Sequence, residues 1–317
     1  MAIILTEAAQ LSNDVLLQGV IETIIKESPL LQEMPFIEIV GNALSYNREL
    51  ALPSAEWHAV NDDWVTSPEI TFTPCTATLK ILGQNADVDN YIRSTRSNIQ
   101  DIEAAVIELT AKAIRHELED KFIYGSAAAD ANQFDGLIKI IDTTTDPPTP
   151  NPQVVSMATA EVGATLTLAK IDELIDRIKG GKPSMLMMSR RSRRKINALA
   201  RAGGSNLEVG QGKLGEFVQL YNGIPIAIND FMLDTHKLAT TPFDYEDSLT
   251  AGSCASIYAF QLGEGALCGL TGPGGLTVEH MGSMETKDAQ RTRIKWYVSL
   301  ALFSNVKAAA LIGIKND

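Results

Sequence analysis

The motif nearest to cofactor chemistry is a glycine-rich segment, in which Gly210, Gly212 and Gly215 match GxGxxG. In that fingerprint the glycines let a dinucleotide pyrophosphate approach the N-terminus of a helix. The fingerprint needs a helix after it, but Glu216 to Tyr221 has the pattern of a strand. A P-loop is excluded because Leu214 stands where a magnesium-binding Ser or Thr is required. We interpret the segment as a flexible loop and keep a nucleotide-dependent enzyme as the minor alternative.

Metal-binding spacings are also absent from the sequence. Asn85, Asp87 and Asp89 resemble the start of a calcium loop, but Asn90 replaces the required Gly and Arg96 the bidentate Glu, so a turn is predicted. The four histidines and three cysteines lie far apart, without the spacing of a zinc site, a disulfide framework or a nucleophile motif. The sequence therefore predicts no catalytic residue, no cofactor and no metal.

A run of cations from Arg190 to Lys195 is the remaining chemical feature. Five positive charges in one helical stretch would attract nucleic-acid phosphates. The competing interpretation is a solvated or subunit-pairing helix face that the acidic remainder of the chain complements. The chain has 27 Lys and Arg against 39 Asp and Glu, a net charge of −12, so its average surface repels phosphates. This balance favours the structural interpretation.

The bulk composition is that of a globular protein of about two domains, with 317 residues, 45 % hydrophobic and 21 % charged. The first thirty residues mix charged residues into the apolar run, so no signal peptide is predicted. No stretch is apolar enough to span a bilayer, and the few cysteines indicate a reducing compartment. We expect a chain that is made and used in soluble form.

The elements themselves suggest a long antiparallel ribbon over residues 42–83. Residues 44–52 alternate as a half-buried strand does, and residues 69–82 form its return. The hydrophobic phase changes at Pro74, where a bulge or bend is expected. A two-stranded ribbon is marginally stable in water, and Trp57 and Trp64 lie at its turn. The ribbon should therefore lie on another surface, most simply on a second copy of the chain.

The rest of the chain alternates between helical and strand patterns. An amphipathic helix from Ser12 ends at Ser28-Pro29. A longer helix from Ser97 to Gly125 has its apolar stripe at Ile99, Ile102, Val106, Leu109 and Ala113. A Pro- and Thr-rich segment over 142–153 indicates a boundary. The remaining predicted elements form a compact α/β unit followed by terminal strands: helices 168–178 and 190–200, and strands 185–188, 217–221, 224–228, 254–260 and 292–314.

This order of parts, and several sequence strings, resemble the major capsid protein of tailed bacteriophages, the Hong Kong phage capsid fold that encapsulins share. The strings are GVIETIIKESPLL at 19–31, YNRELALP at 46–53, LKILGQNADVD at 79–89 and QFDGLIKII at 133–141. The resemblance implies an α+β fold with an N-terminal arm (1–40), an extended β-hairpin loop (41–86), a peripheral domain with a long spine helix (87–159), an axial α/β domain (160–281) and peripheral return strands (282–317).

The resemblance further implies a structural protein that is not an enzyme and that assembles into pentamers and hexamers of an icosahedral shell around double-stranded DNA. It implies a separate scaffolding protein and a portal as partners, no sequence-specific DNA binding, no membrane, and assembly in the bacterial host cytoplasm. An encapsulin-like nanocompartment stays as the alternative. Some family members cross-link through a lysine of the extended loop, but the one lysine in 41–86 is Lys80, near the root, so no cross-link is expected.

We predict that the intersubunit surface includes residues of the ribbon and of the basic helix. They are Tyr46, Arg48, Glu49, Trp57, Trp64, Pro74, Arg190 and Arg194.

Overall fold

A computed structural model describes residues 3–4, 20, 24, 28–51, 57–60, 62, 71–96, 102–142, 153–157, 163–204, 208–211, 217–232 and 254–315. The helices within these residues are α1 (Pro29–Glu33), α2 (Asn90–Arg96), α3 (Ile102–Tyr124), α4 (Leu137–Asp142), α5 (Leu168–Asp176) and α6 (Arg190–Ala202). The strands are β1 (Ile3–Ile4), β2 (Pro35–Glu38), β3 (Ala43–Ala51), β4 (Thr71–Thr78), β5 (Lys80–Asp89), β6 (Val154–Ser156), β7 (Met185–Met188), β8 (Glu208–Gln211), β9 (Phe217–Tyr221), β10 (Ile224–Ile228), β11 (Cys254–Phe260), β12 (Leu267–Ser283), β13 (Ala289–Leu302) and β14 (Ala308–Lys315).

Three sheets organise these strands. A five-stranded sheet has the order β1-β2-β12-β13-β5, a seven-stranded sheet has the order β6-β14-β11-β7-β10-β9-β8, and β3 pairs only with β4. The mixed α+β class predicted from the sequence is confirmed. The third sheet is the predicted antiparallel ribbon.

The seven-stranded sheet is buried on both faces at its centre. Along β7, Met185 and Met187 join one hydrophobic cluster, whereas Leu186 and Met188 join another, because alternate side chains of a strand point to opposite faces. Helices α3 and α4 contribute to the first cluster, and α5 and α6 to the second. A continuous apolar run such as MLMM is the pattern expected of such a central strand.

Helix α3 confirms the long helix predicted from the sequence, but a different face of it is buried. The side chains that lie in the core follow one stripe of the helix: Ile107, Ala111, Ile114, Leu118 and Phe122. Leu109, from the predicted stripe, is 65 % exposed, and Ala113 is exposed as well. Two apolar stripes compete on this helix, and the one that carries Phe122 buries more apolar area. The proposed capping box at residues 97–100 lies outside the described residues.

The segment Ser28-Pro29 begins a helix in the structure. The Ser28 hydroxyl accepts a hydrogen bond from the amide of Leu31 at 3.3 Å, and Pro29 occupies the first helical position. A serine cap followed by proline favours a helix start, since proline lacks the N–H that a first turn leaves unpaired. Of the helix predicted before it, Val20 and Ile24 are helical and buried, and its other positions lie outside the described residues.

Sheet membership crosses the domain boundaries predicted from the sequence. Strand β12, placed in the axial segment, pairs with β13 and β2 in the five-stranded sheet. Strands β6 and β14, placed in the peripheral segments, pair with each other, and β14 pairs with β11 in the seven-stranded sheet. These pairings join residues distant in sequence, so hydrophobic periodicity alone does not assign them. The division into domains stays a prediction.

The calcium-like segment 85–89 is a strand and not the predicted turn. Asp87 lies opposite Arg291 in the β5–β13 register, and its carboxylate accepts two hydrogen bonds from that guanidinium, at 2.7 and 2.6 Å. Asn85 accepts a hydrogen bond from Arg293 at 2.9 Å in the same way. The alternating acidic and amide side chains therefore pair with cations of the neighbouring strand.

Candidate assembly surface

The base of the ribbon is fixed to the body of its own chain. Tyr46 lies half-buried in β3, its hydroxyl accepts a hydrogen bond from the amide of Leu302 at 3.3 Å, and its ring centroid is 4.8 Å from that of Phe303. Leu44 and Ala77 pack in the same small cluster. Burial of these apolar side chains sets the inner face of the ribbon. Tyr46 thus has an intrachain role, and its predicted place in a subunit interface stays a prediction.

The return of the chain into the body is tied to a compact loop at residues 125–136. The Lys80 ammonium donates a hydrogen bond to the carbonyl of Ala131 at 2.6 Å. The loop is closed at its base where the amide of Gly136 donates to the carbonyl of Gly125 at 2.8 Å. A Cβ at Gly125 would lie 2.4 Å from the carbonyl oxygen of Phe134, so the closure requires glycine. Lys80 therefore positions the ribbon root.

A cavity of about 260 Å³ lies between β4 and this loop, and its wall includes Tyr46, Lys80 and Asp135. The cavity shows that the ribbon contacts the body along part of its inner face only.

Farther from the base, most of the described side chains of the ribbon face solvent, although His58 is partly buried. Trp57 is 103 % exposed and Val60 is 94 % exposed, so no described part of the chain covers them. Pro74 is exposed, Arg48 and Glu49 belong to β3, and Trp64 and the side chains of Arg48 and Glu49 lie outside the described residues. Two large apolar side chains close together and fully exposed are typical of a surface that another molecule covers.

The irregularity of the ribbon lies at Leu50 and not at Pro74. Pro74 pairs with Asn47 in an unbroken register, while the register shifts between Glu49 and Ala51. Proline is tolerated here because a two-stranded ribbon consists of edge strands, in which half of the amides need no partner. The sequence correctly predicted an irregularity in the ribbon, but it lies in β3 and not in β4, the strand that contains Pro74.

The basic helix α6 has one of its predicted interface residues paired within the chain. The guanidinium of Arg190 forms a two-pronged ion pair with Asp230, with Nη2 at 2.6 Å from Oδ2. This pair holds the pKa of the Asp230 carboxyl below its usual value, chiefly through the hydrogen bonds from Arg190. Arg194 is exposed and forms no ion pair with a described residue. The interface role of both arginines stays a prediction.

Further exposed apolar side chains lie on the body, and the sequence analysis did not single them out. Besides Leu109, the large ones are Val40, Ile81, Tyr91, Ile92, Val209 and Met281. Each lies in a strand, a helix or a short connection of the body. Only three-dimensional packing separates them from core residues, since their types are the same.

Chemical groups do not assemble into a reactive site in the part of the chain that the structure describes. No cluster of three or more metal-ligating side chains occurs there.

Gly210 is a strand residue opposite Val218, so the segment predicted as a loop is in part a β-hairpin. A Cβ at Gly210 would lie 2.7 Å from the end of the Leu220 side chain, which would have to shift. Burial raises the pKa of the Cys268 thiol to about 12. No described helix is long and apolar enough to cross a membrane.

Comparison with known proteins decides what kind of surface this is. The family model of the SU10 major capsid protein matches residues 32–243, which is about two thirds of the 317 residues. The chain belongs to the SU10 major capsid protein family. The match includes the ribbon, the spine helix α3 and the basic helix α6. No curated protein sequence is significantly similar to the chain.

Solved structures share the fold of this SU10 family member at low sequence identity. The SrpI encapsulin of Synechococcus elongatus PCC 7942 aligns over 98 % of this chain and 95 % of its own, with 18 % identity and a TM-score of 0.64. The capsid of a native GTA particle aligns over 92 % and 90 %, with 12 % identity and a TM-score of 0.59. A structure from Mycobacterium phage Bobi aligns over 90 % of this chain and 91 % of its own, with 14 % identity and a TM-score of 0.57.

These similarities confirm the capsid fold expected from the sequence strings and the order of elements. The chain is a structural protein of a capsid shell, and its place is the capsid of a virion.

Proposed function

We propose that this capsid protein assembles into pentamers and hexamers of an icosahedral shell that encloses double-stranded DNA, and that it acts as a structural protein and not as an enzyme. The observation that carries the proposal is the ribbon, which is fixed at its base by Tyr46 but exposes Trp57 and Val60 completely. Those side chains gain favourable burial only against another copy.

The acidic balance of the chain supports a container that releases its genome. A net charge of −12 gives the average surface no affinity for phosphates. We propose accordingly that DNA is enclosed without sequence-specific contacts. The same proposal includes a scaffolding protein and a portal as separate partners, and assembly in the cytoplasm of a bacterial host, as the resemblance to tailed phages implies.

The experiment that tests the role of the ribbon is deletion of residues 54–67. Expressed alone, the natural chain should form capsomers or shells visible by electron microscopy, and the deletion variant should stay unassembled. Its circular dichroism and cooperative unfolding should match those of the natural chain, because Trp57 and Val60 of the tip are fully exposed in the isolated subunit. An unfolded deletion variant would show that the tip packs within its own subunit.

A pair of point variants tests the apolar contact directly. Trp57→Phe keeps a large apolar ring and should assemble, whereas Trp57→Asp places a charge in the contact and should not. Neither change should alter the stability of the subunit, because the side chain is exposed there. Equal assembly of both variants would contradict the proposed contact.

The alternative is a nanocompartment of the encapsulin kind. It is supported by the similarity over 98 % of the chain to the SrpI encapsulin complex. The contents of shells purified from the native source separate the two functions. Nuclease-protected double-stranded DNA supports the virus, and a co-purifying enzyme inside the shell supports the compartment.

A further inference from the structure

The exposed face of helix α6 carries several positive charges and no acid. Its thirteen residues contain six cations and no acid. At about 100° per residue, the cations other than Arg193 fall within an arc of about 140°. Ser192, Ile196 and Ala200 lie on the opposite side and are buried. Of the cations on the arc, Arg190, Arg191, Arg194 and Arg201 are exposed.

This arrangement is unfavourable within the isolated subunit. Arg190 and Arg191 occupy the first turn, where the helix dipole disfavours cations, and that turn has no acid. Arg191 lies three residues from Arg194 and four from Lys195, spacings at which like charges repel each other. Among the described residues, Asp230 is the acid that forms an ion pair with the helix, and it pairs with Arg190. No described acid forms an ion pair with the other cations, so their repulsion is not offset within this part of the chain.

The rest of the chain has the complementary charge. Because the helix contributes six positive charges to a net charge of −12, the remaining residues carry −18. Any other surface of an identical copy is therefore acidic on average. In a ring of identical subunits that bind head to tail, each contact joins one surface of a subunit to a different surface of the next. A basic face on one subunit can therefore attract an acidic surface of its neighbour.

We infer that the exposed face of α6, centred on Arg191 and Arg194, binds an acidic surface of a second copy of this chain. The inference deepens the proposed function and rests on it. The inferred contact does not depend on Arg190, since its guanidinium already forms an ion pair with Asp230. DNA is the less suitable partner, because the −18 charge on the remainder would repel a duplex drawn to the helix. Arginine suits a carboxylate partner because its planar fork donates two parallel hydrogen bonds.

Charge reversal with a matched control tests the inference. Arg191→Glu with Arg194→Glu replaces two positive charges of the face by two negative ones. The control, Lys179→Glu with Lys287→Glu, makes the same change in charge at exposed positions elsewhere. By sedimentation velocity in about 50 mM NaCl, the arginine variant should lose assembled material by about tenfold or more, and the lysine variant should not. For the natural chain, assembly should weaken as the salt concentration rises. Thermal unfolding should verify that both variants are folded.

A conservative variant identifies the partner. Arg191→Lys with Arg194→Lys keeps the charge and supplies amines that a carbodiimide joins to carboxylates. In shells formed from a mixture of ¹⁵N-labelled and unlabelled subunits, mass spectrometry should detect links from residue 191 or 194 to an acidic residue of another copy. Links confined to one copy would overturn the inference.

The remaining outcomes are also decisive. Assembly of the arginine variant at the level of the lysine control overturns the inference and leaves the proposed function intact. Normal assembly with reduced packaged DNA would overturn it in favour of DNA as the partner. A natural chain that assembles neither alone nor with its scaffolding protein would overturn the proposed function, and the inference with it.

Discussion

The seven-stranded sheet and the ribbon bury their side chains in opposite ways. All seven residues of β11 are buried, and the alternating faces of β7 enter two different hydrophobic clusters of the same chain. The ribbon is covered at its base by the same chain, but Trp57 and Val60 are exposed. The sheet is therefore stabilised by its own subunit, whereas we propose that the outer part of the ribbon is covered by a neighbour.

The largest effect that this comparison predicts is a loss of folding stability when a buried side chain of the body is removed. Trp296 is 1 % exposed, packs with its ring centroid 5.2 Å from that of Phe36, and donates its indole N–H to the Thr271 hydroxyl at 3.0 Å. Trp296→Ala should lower the free energy of unfolding by about 3–5 kcal/mol, through lost burial and a cavity. Urea unfolding followed by circular dichroism measures it.

The matched control is Trp57→Ala, which removes the same side chain from the ribbon. It should leave the free energy of unfolding within about 0.5 kcal/mol of the natural value, because an exposed side chain leaves no cavity. Similar losses of unfolding free energy in Trp296→Ala and Trp57→Ala would contradict the difference between the sheet and the ribbon.

The two regions also differ in how far their sequences predict them. Within the α/β unit, strands 185–188, 217–221, 224–228 and 254–260 have the predicted bounds, since short apolar runs flanked by turn residues determine them locally. The partners of β12 and β14 were not predictable in this way. Their pairing depends on which distant strand completes a buried face, and several strands of similar composition compete for that role.

The assembly surface was predictable in outline and not in detail. Exposed tryptophan at the ribbon turn was expected from the weakness of a two-stranded ribbon, and Trp57 fits that expectation. The pairing of Arg190 with Asp230, forty residues later, carries no sequence signal. Neither does the exposure of Leu109, because a helix with two apolar stripes can turn either one toward the core.

A smaller effect should appear where the ribbon joins the body. Tyr46 lies directly opposite Cys75 in the register and fixes the ribbon base through Phe303 and Leu302. Tyr46→Ala should expose Cys75 and raise its rate of alkylation by iodoacetamide severalfold, as mass spectrometry can follow. Cys268 serves as the internal control, since burial raises the pKa of its thiol to about 12 and keeps it unreactive at neutral pH.

The conservative variant Tyr46→Phe separates packing from hydrogen bonding at this position. It keeps the ring against Phe303 and removes the hydroxyl, at a cost of about 1 kcal/mol. Alkylation of Cys75 should then stay close to the natural rate. If Tyr46→Ala also leaves that rate unchanged, another contact fixes the ribbon base.

The smallest effect concerns the clamp that joins β5, which continues from the ribbon, to β13 of the body. Two hydrogen bonds from Arg291 lower the pKa of the Asp87 carboxyl, so the folded-state pKa lies below the unfolded one. The clamp therefore contributes stability above the unfolded value of about 3.9, and this contribution is lost as the pH falls through the lowered folded pKa. Because the pair is partly exposed, the contribution should be about 0.2–1 kcal/mol.

Replacement of the clamp carboxylate tests this sign. Asp87→Asn should lower the free energy of unfolding at pH 7 by that amount. The unfolding free energies of the variant and the natural chain should then converge as the pH falls below about 4. The control is Asp176→Asn on α5, an exposed aspartate without an ion pair to a described residue, which should leave the pH dependence unchanged. A difference between Asp87→Asn and the natural chain that grows toward low pH would contradict the direction of the shift. In that case, the junction between ribbon and body would rest on the backbone pairing of β5 with β13 alone.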